Sequence, residues 1–406
     1  MNIVRYDRLY PFEWYAYMLE NNSVYYHPKQ KKWHIFRYED VRKVLSDYTN
    51  FPQLSRPEEK AISPLETSLI GLNPPNHRQM RSLVSKAFTP KAIANLQPRI
   101  REIAKELLDQ VVEKGEMDLV KEFAYPLPVI VIAEMLGIPK EDRAQFKQWS
   151  DDIVDSAELG SFDMNNDKVS LGEKAKKFAN QLRLIQKFRK AEKELGAYFI
   201  KIFEERRKEP KDDLISHLLE AEVDGRKLTE FELLGFCSLL LVAGNETTTN
   251  LIGNMIFSLN QFPDVAKHLR ERPEDMKKGI EEVLRYRSMV RSLERVAAND
   301  IEIGGQLIKK GQTVLVWLGS ANQDPEKFPN PNQLDINRDN LQHIAFGHGV
   351  HFCLGAPLAR LEVDIAMQEL FKYFSDIQLK EDVEYHLNAL DGLENLPITF
   401  TVSERS

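Results

Sequence analysis

Residues 346–360 read "FGHGVHFCLGAPLAR" and contain Cys353, one of only two cysteines in a chain of 406 residues. Gly347 and Gly349 flank His348 ahead of it, and an apolar, helix-forming run follows. Glycines open backbone angles closed to other residues and let the chain approach a flat ligand closely. A thiolate just before a helix start faces free N–H groups and the positive end of the helix dipole, which stabilise its charge. A buried apolar role, the common fate of cysteine, leaves both glycines unexplained. As a soft ligand, the thiolate suits zinc, an iron–sulfur cluster or a haem. His343, His348, His351 and Cys353 lie close together in the chain, but zinc sites usually bring spaced ligand pairs and no second cysteine pair exists. An iron–sulfur cluster needs about four cysteines. A single thiolate on haem iron explains loop and cysteine together.

Composition bounds the function. Hydrophobic residues make up 42% and charged residues 29%, as in an ordinary globular protein. A net charge of −7 argues against a general nucleic-acid or anionic-membrane binder. Two cysteines fit a reducing compartment and cannot build a disulfide framework. The start "MNIVRYDRLYPFEWY" is aromatic and charged, unlike a signal peptide. The longest apolar runs, "LPVIVIAEML" and "FCSLLLVAG", fall short of the ~20 residues that span a bilayer. The expectation is a soluble, cytoplasmic protein without membrane insertion.

Helical spacing of apolar residues runs over 93–111, with a stop at Gly115, and recurs near 175–208, 229–261 and 273–287. Strand signals are short: 32–38, 301–308 with a Gly304–Gly305 turn, and 313–318. Residues 322–340, rich in Pro, Asn and Asp, predict a long structured coil. With no repeat or linker to divide it, the chain reads as a single domain over 1–406, mainly α with a small β region.

One helical stretch breaks its own rules. In "LLLVAGNETTTNLIGNMI" (239–256), Gly244 costs about 1 kcal/mol relative to alanine in a helix interior. Thr247, Thr248 and Thr249 are poor helix formers, and Glu246 is costly among apolar neighbours unless partnered. Such local conflict marks a functional site. Elsewhere His77 and Arg81 stand four apart on one helix face, where two cations repel unless an anion joins them. Glu282 and Arg285 stand three apart, a spacing that by itself reads as a surface ion pair.

The cysteine stretch resembles the ligand loop of the cytochrome P-450 superfamily, Phe-x-x-Gly-x-x-x-Cys-x-Gly, at Phe346, Gly349, Cys353 and Gly355. Three further motifs of that family follow the same order along nearly the whole chain. The resemblance implies the cytochrome P-450 fold, haem b (iron protoporphyrin IX) as cofactor and Cys353 as the iron ligand. It implies that His77, Arg81, Arg295 and His351 hold the haem propionates, and that Ala243 and Gly244 widen the helix groove. Glu246 and Thr247 become an acid–alcohol pair relaying the two protons that reduction of one oxygen atom to water consumes. Glu282, Arg285 and Arg338 become a buried structural network that holds the coil before the cysteine.

The implied activity is monooxygenation, one atom of O₂ entering an apolar small molecule by C–H hydroxylation or epoxidation. A hydrogen-peroxide-driven peroxygenase and a non-enzymatic haem sensor are the alternatives. Electrons come from a separate ferredoxin-type or flavodoxin-type donor, for which Arg78, Lys86 and Lys91 form a candidate basic patch. In "YRSMVRSLERVA" (286–297), Met289 stands where the family often has proline. An extended segment there points Arg291, Leu293 and Arg295 to one side. Ala243, Arg291 and Leu293 are then candidate substrate contacts. Arg291 either pairs with a substrate carboxylate or reaches a propionate or solvent. Cys237 is expected to be an ordinary core residue.

Overall fold

The computed structural model describes residues 6–53, 64–155, 171–381, 385–387, 390 and 392–403. Helices dominate them: α1 Phe12–Asn21, α2 Tyr38–Ser46, α3 Asn76–Ala87, α4 Pro90–Asn95, α5 Gln97–Asp109, α6 Pro126–Met135 and α7 Arg143–Asp155. The series continues with α8 Leu171–Lys208, α9 Leu214–Glu220, α10 Glu230–Gln261, α11 Pro263–Glu271, α12 Met276–Tyr286, α13 Leu318–Ala321 and α14 Ala356–Tyr373. The strands are β1 Val24–His27, β2 Lys32–Ile35, β3 Glu116–Asp118, β4 Leu293–Val296, β5 Ile301–Ile303, β6 Gln306–Ile308, β7 Thr313–Val316, β8 Phe374–Leu379 and β9 Pro397–Val402.

Helix α10 is the axis of the fold. Its start is fixed by a capping box: the Glu232 amide donates to Thr229 Oγ1 (3.2 Å), and the Thr229 amide donates to Glu232 Oε2 (2.9 Å). Apolar side chains then cover nearly its whole circumference, as burial among other helices requires. Against it pack α6, α12 and α14, contributing Ile132, Val283, Val363 and Met367 to one large core. A second apolar cluster lies beside the four-stranded sheet β1-β2-β7-β4, in which only the β2–β7 pair is parallel. Cys237 is fully buried in the main core, and desolvation pushes its thiol far above the ordinary value. It is the ordinary core residue the sequence predicts.

The structure redraws several boundaries. The alternation over 32–38 yields a strand only to Ile35, because Arg37 is the extended cap from which α2 starts at Tyr38. Likewise 313–318 is strand only to Val316, and Leu318 opens α13. The 93–111 pattern breaks at Leu96, where Pro98 opens a new helix in the only position that tolerates it. The Gly304–Gly305 turn is confirmed: both residues have positive φ, +54° and +75°, which a two-residue hairpin demands.

Candidate active site

The cysteine loop sits between the end of α2 and the start of α14. Gly347 and Gly349 adopt φ of +74° and +73°, so both need the freedom of glycine. At Gly349 a Cβ would also stand 2.8 Å from the Leu45 carbonyl oxygen. The loop closes where the Cys353 amide donates to the Phe346 carbonyl (3.0 Å). Beyond it the amides of Gly355 and Ala356, the first turn of α14, donate to Cys353 Sγ. Cys353 is exposed at its tip, while the protein packed around the loop desolvates the thiol and raises its pKa. The two amides, Arg81 and Arg360 oppose that rise. A cation placed at Sγ would settle the contest in favour of thiolate.

Beside the cysteine, the structure gathers all four residues expected at the propionates. His77 is 1% exposed and Arg295 3%. The rings of His77 and His351 lie 4.4 Å apart, centroid to centroid. His77 Nδ1 and His351 Nε2 are buried without a hydrogen-bond partner. Arg81 Nη1 donates to the carbonyls of Phe352 (2.7 Å) and Val350 (3.4 Å), linking α3 to the cysteine loop. Burial first, and then cationic neighbours, depress both imidazoles, His77 to about 4 and His351 to about 3. Burial also lowers Arg295 to about 10. Two orphaned ring nitrogens beside two guanidiniums call for an anion, since buried polar atoms rarely go unpaired. The propionates of a haem are of the right charge and number. The residues fit the cofactor.

Zinc does not fit. His343 accepts from the Ala345 amide at Nδ1 (3.2 Å) and donates from Nε2 to Glu281 Oε2 (3.1 Å), and among the described residues no His, Cys, Asp and Glu gather as a metal-holding group.

Over the α10 break, Ala243 is exposed and Gly244, Glu246 and Thr247 are half-buried, in a helix otherwise nearly covered. They therefore border an open space. The Thr247 hydroxyl donates to the Ala243 carbonyl (2.7 Å), a back-bond that loosens and bends helices. On another face, the Thr248 hydroxyl meets Glu362 of α14, whose buried carboxyl is pushed up to about 8 by desolvation.

The Glu282–Arg285–Arg338 network forms as expected and is buried. Arg285 grips Glu282 in a fork, Nε to Oε2 (2.8 Å) and Nη2 to Oε1 (2.7 Å), and Arg338 Nε adds a bond to Oε1 (2.9 Å). The remaining donors of Arg285 and Arg338 reach the coil carbonyls of Asn322, Asn330, Pro331 and Gln333. A second clamp went unnoticed in the sequence: Arg360 forks onto Glu281 (2.6 and 2.8 Å) and lies over the Phe346 ring at 4.5 Å. Glu281 carries no motif of its own, so only the packed fold pairs it with a residue far along the chain.

Arg291 departs from expectation. It lies before β4, 8% exposed, and Nη1 donates to the Tyr6 hydroxyl (3.2 Å) and the Arg8 carbonyl. Leu293 instead packs on the sheet cluster, and Arg295 sends its charge toward His351. Arg291 lies outside the extended run, which starts only at Leu293, whereas Leu293 and Arg295, two apart in β4, share a face of it. Of the basic patch, Arg78 donates to the Tyr48 hydroxyl (3.2 Å) and Lys86 to the Glu222 carbonyl, while Lys91 is exposed.

Comparison with known proteins agrees with this geometry. The family model described as cytochrome P-450 matches residues 21–273 and 276–393. The chain is 43% identical over 392 residues to the putative cytochrome P-450 YjiB of Bacillus subtilis, covering 97% of this chain and 94% of that one. Substrate-free CYP109E1 from Bacillus megaterium superposes with a TM-score of 0.88 at 41% identity, covering 98% of this chain and all of that one. Its complex with testosterone gives 0.86 at 42% identity, covering 97% and 99%. Among the described residues no helix is long and apolar enough to cross a membrane.

Proposed function

This chain belongs to the cytochrome P-450 family, and from that premise we propose that Cys353 would bind the iron of a haem b through its thiolate, while His77, Arg81, Arg295 and His351 would hold the propionates. The protein is a haem-iron monooxygenase that takes electrons from a redox partner and acts on a small molecule. When bound, the haem iron supplies dioxygen activation and transfer of the oxygen atom.

The observation that carries the assignment is the pairing of an amide-cradled Cys353 with the two orphaned imidazole nitrogens beside it. The amides of Gly355 and Ala356 and the dipole of α14 hold negative charge on Sγ. Thr247 Oγ1 donates to the Ala243 carbonyl, and a hydroxyl engaged that way still has lone pairs with which to accept a proton. Glu246, next to it, supplies the carboxyl that reloads it. Glu282, Arg285 and Arg338 hold the coil, and with it Cys353, in position. A ferredoxin-type or flavodoxin-type donor is the expected partner, with exposed Lys91 as one docking charge.

For the substrate we favour a neutral apolar molecule of steroid size over a free fatty acid. CYP109E1 is a testosterone-binding relative, and Arg291 is engaged with the amino-terminal segment. The reduced carbon-monoxide complex should show the red-shifted Soret band of thiolate ligation, lost in Cys353→His. With a surrogate ferredoxin and its reductase, NAD(P)H consumption should yield oxygenated product from such a steroid. In Arg291→Leu, a long-chain acid and its methyl ester should lose affinity equally. A far larger loss for the acid would restore the carboxylate contact.

A further inference from the structure

On the side of α10 away from the open space, a buried polar cluster joins three elements. Asn245, 1% exposed and directly before Glu246, donates from Nδ2 to Ser150 Oγ of α7 (3.3 Å). Its Oδ1 accepts from Thr249 Oγ1 (3.4 Å), and that hydroxyl also reaches the Ala124 carbonyl (3.2 Å). Ala124 closes the π-turn Val120–Ala124, and the hydroxyl of the next residue, Tyr125, donates to the Asp151 carboxylate. Asp151 leads outward to Lys147 Nζ (2.9 Å). Four successive residues of α7 thus reach three different elements. Trp149 donates to Glu194 of α8 (3.0 Å), Ser150 meets α10, Asp151 meets Tyr125, and Asp152 pairs with Lys187 of α8 (3.3 Å).

An amide in this place needs a reason. For stability alone an apolar side chain would also serve, because much of what a buried hydrogen bond contributes goes to offset desolvation. What a fully bonded polar cluster adds is a single orientation. That orientation matters at Asn245 because the helix is weakest there. Gly244 precedes it, packed so closely on α6 that a Cβ would stand 2.5 Å from Ile132 Cδ1, and Thr247 back-bonds to Ala243. A helix loosened on one face keeps its register only if the opposite face is held.

We infer that Asn245, through its bond to Ser150, is a positioning residue that fixes the rotation of the Glu246–Thr247 turn toward the open space. The inference rests on the relay reading of Glu246 and Thr247. Removing the Asn245 bond frees the turn to rotate, so protons arrive late and reductant is spent without product.

The test uses the haem-loaded protein with a surrogate ferredoxin system and compares Asn245→Leu, Ser150→Ala and Thr247→Ala. Ser150→Ala removes the same bond from α7 without touching α10. Both bond-breaking variants should keep the thiolate carbon-monoxide band. Product per NAD(P)H should fall about fivefold, as loss of one buried hydrogen bond implies, with hydrogen peroxide accounting for the difference. Amide hydrogen exchange over 244–250 should quicken in the same two variants, a readout independent of turnover. Combining Asn245→Leu with Thr247→Ala should add nothing to Thr247→Ala alone. If Thr247→Ala uncouples while Asn245→Leu and Ser150→Ala lower only the melting temperature, the positioning role is overturned and the relay survives. If Thr247→Ala leaves coupling unchanged, the relay reading fails and this inference falls with it.

Discussion

The imidazoles of His77 and His351 stand 4.4 Å apart, each with a buried ring nitrogen that has no partner, and the charges acting on them are those of Arg78, Arg81 and Arg295. A pocket that repels its own protonation is built for a guest that brings negative charge. His77→Leu should therefore keep the fold but release haem to a scavenger about ten- to a hundredfold faster, the worth of one charge-assisted hydrogen bond. Equal release rates would remove His77 from the propionate site.

Thr247→Ala should bind and reduce haem normally. Product formed per NAD(P)H should drop by about an order of magnitude as peroxide rises. The measurement is stoichiometric, so slower turnover alone does not mimic it. Unchanged stoichiometry would remove Thr247 from proton delivery, and buried Thr248, whose hydroxyl meets Glu362 on another face, does not stand in for it.

Glu282→Ala leaves two guanidiniums, Arg285 and Arg338, facing each other without their carboxylate, and Glu282 and Arg285 are both fully buried. The expected loss is about 3–5 kcal/mol. The variant should lack the thiolate band at normal temperature, because the coil before Cys353 loses its anchor. A melting temperature within a few degrees of the parent would show that the carbonyl contacts suffice.

Glu362 gives a pH signature. Its folded-state carboxyl sits at about 8, above the ordinary 4.5. The folded protein thus keeps a proton that the unfolded chain releases. This contribution is full below the ordinary value and is lost as pH rises through about 8, with a slope of at most about 1.4 kcal/mol per pH unit. Glu362→Gln mimics the neutral acid, so its stability relative to the parent should grow from about pH 4.5 to about pH 8 and level off above it. Parallel stability curves would mean that the carboxyl is ionised throughout.

The sequence discloses those features whose physics is local. The glycines around His348 and the misfit residues of α10 each announce themselves within one turn or loop, whereas the Glu282–Arg285 spacing reads locally as a surface pair and proves buried. The Glu281–Arg360 fork and the Ser150–Asn245 bond announce nothing, because each joins ordinary polar residues that only the packed helices bring together. Strand ends fail for another reason. The alternation of 32–38 runs on past Ile35, but a cap at Arg37 and the acidic pair Glu39–Asp40 favour a helix start over continued pairing. At Arg291, alternation says which side a residue takes, not what waits there.

What waits there has a consequence for how the chain is made. Arg287 Nη2 donates to the Leu9 carbonyl (2.7 Å), and Arg291 Nη1 to that of Arg8. Two buried cations thus seat themselves on backbone carbonyls that lie far earlier in the chain. Those residues cannot dock until some 280 more have been added, on the order of tens of seconds at ordinary synthesis rates. Until then Tyr6 and Trp14 lack Trp317, against which both rings pack in the fold. Docking of the amino-terminal segment is accordingly a late event in assembly, and chaperone demand should concentrate there.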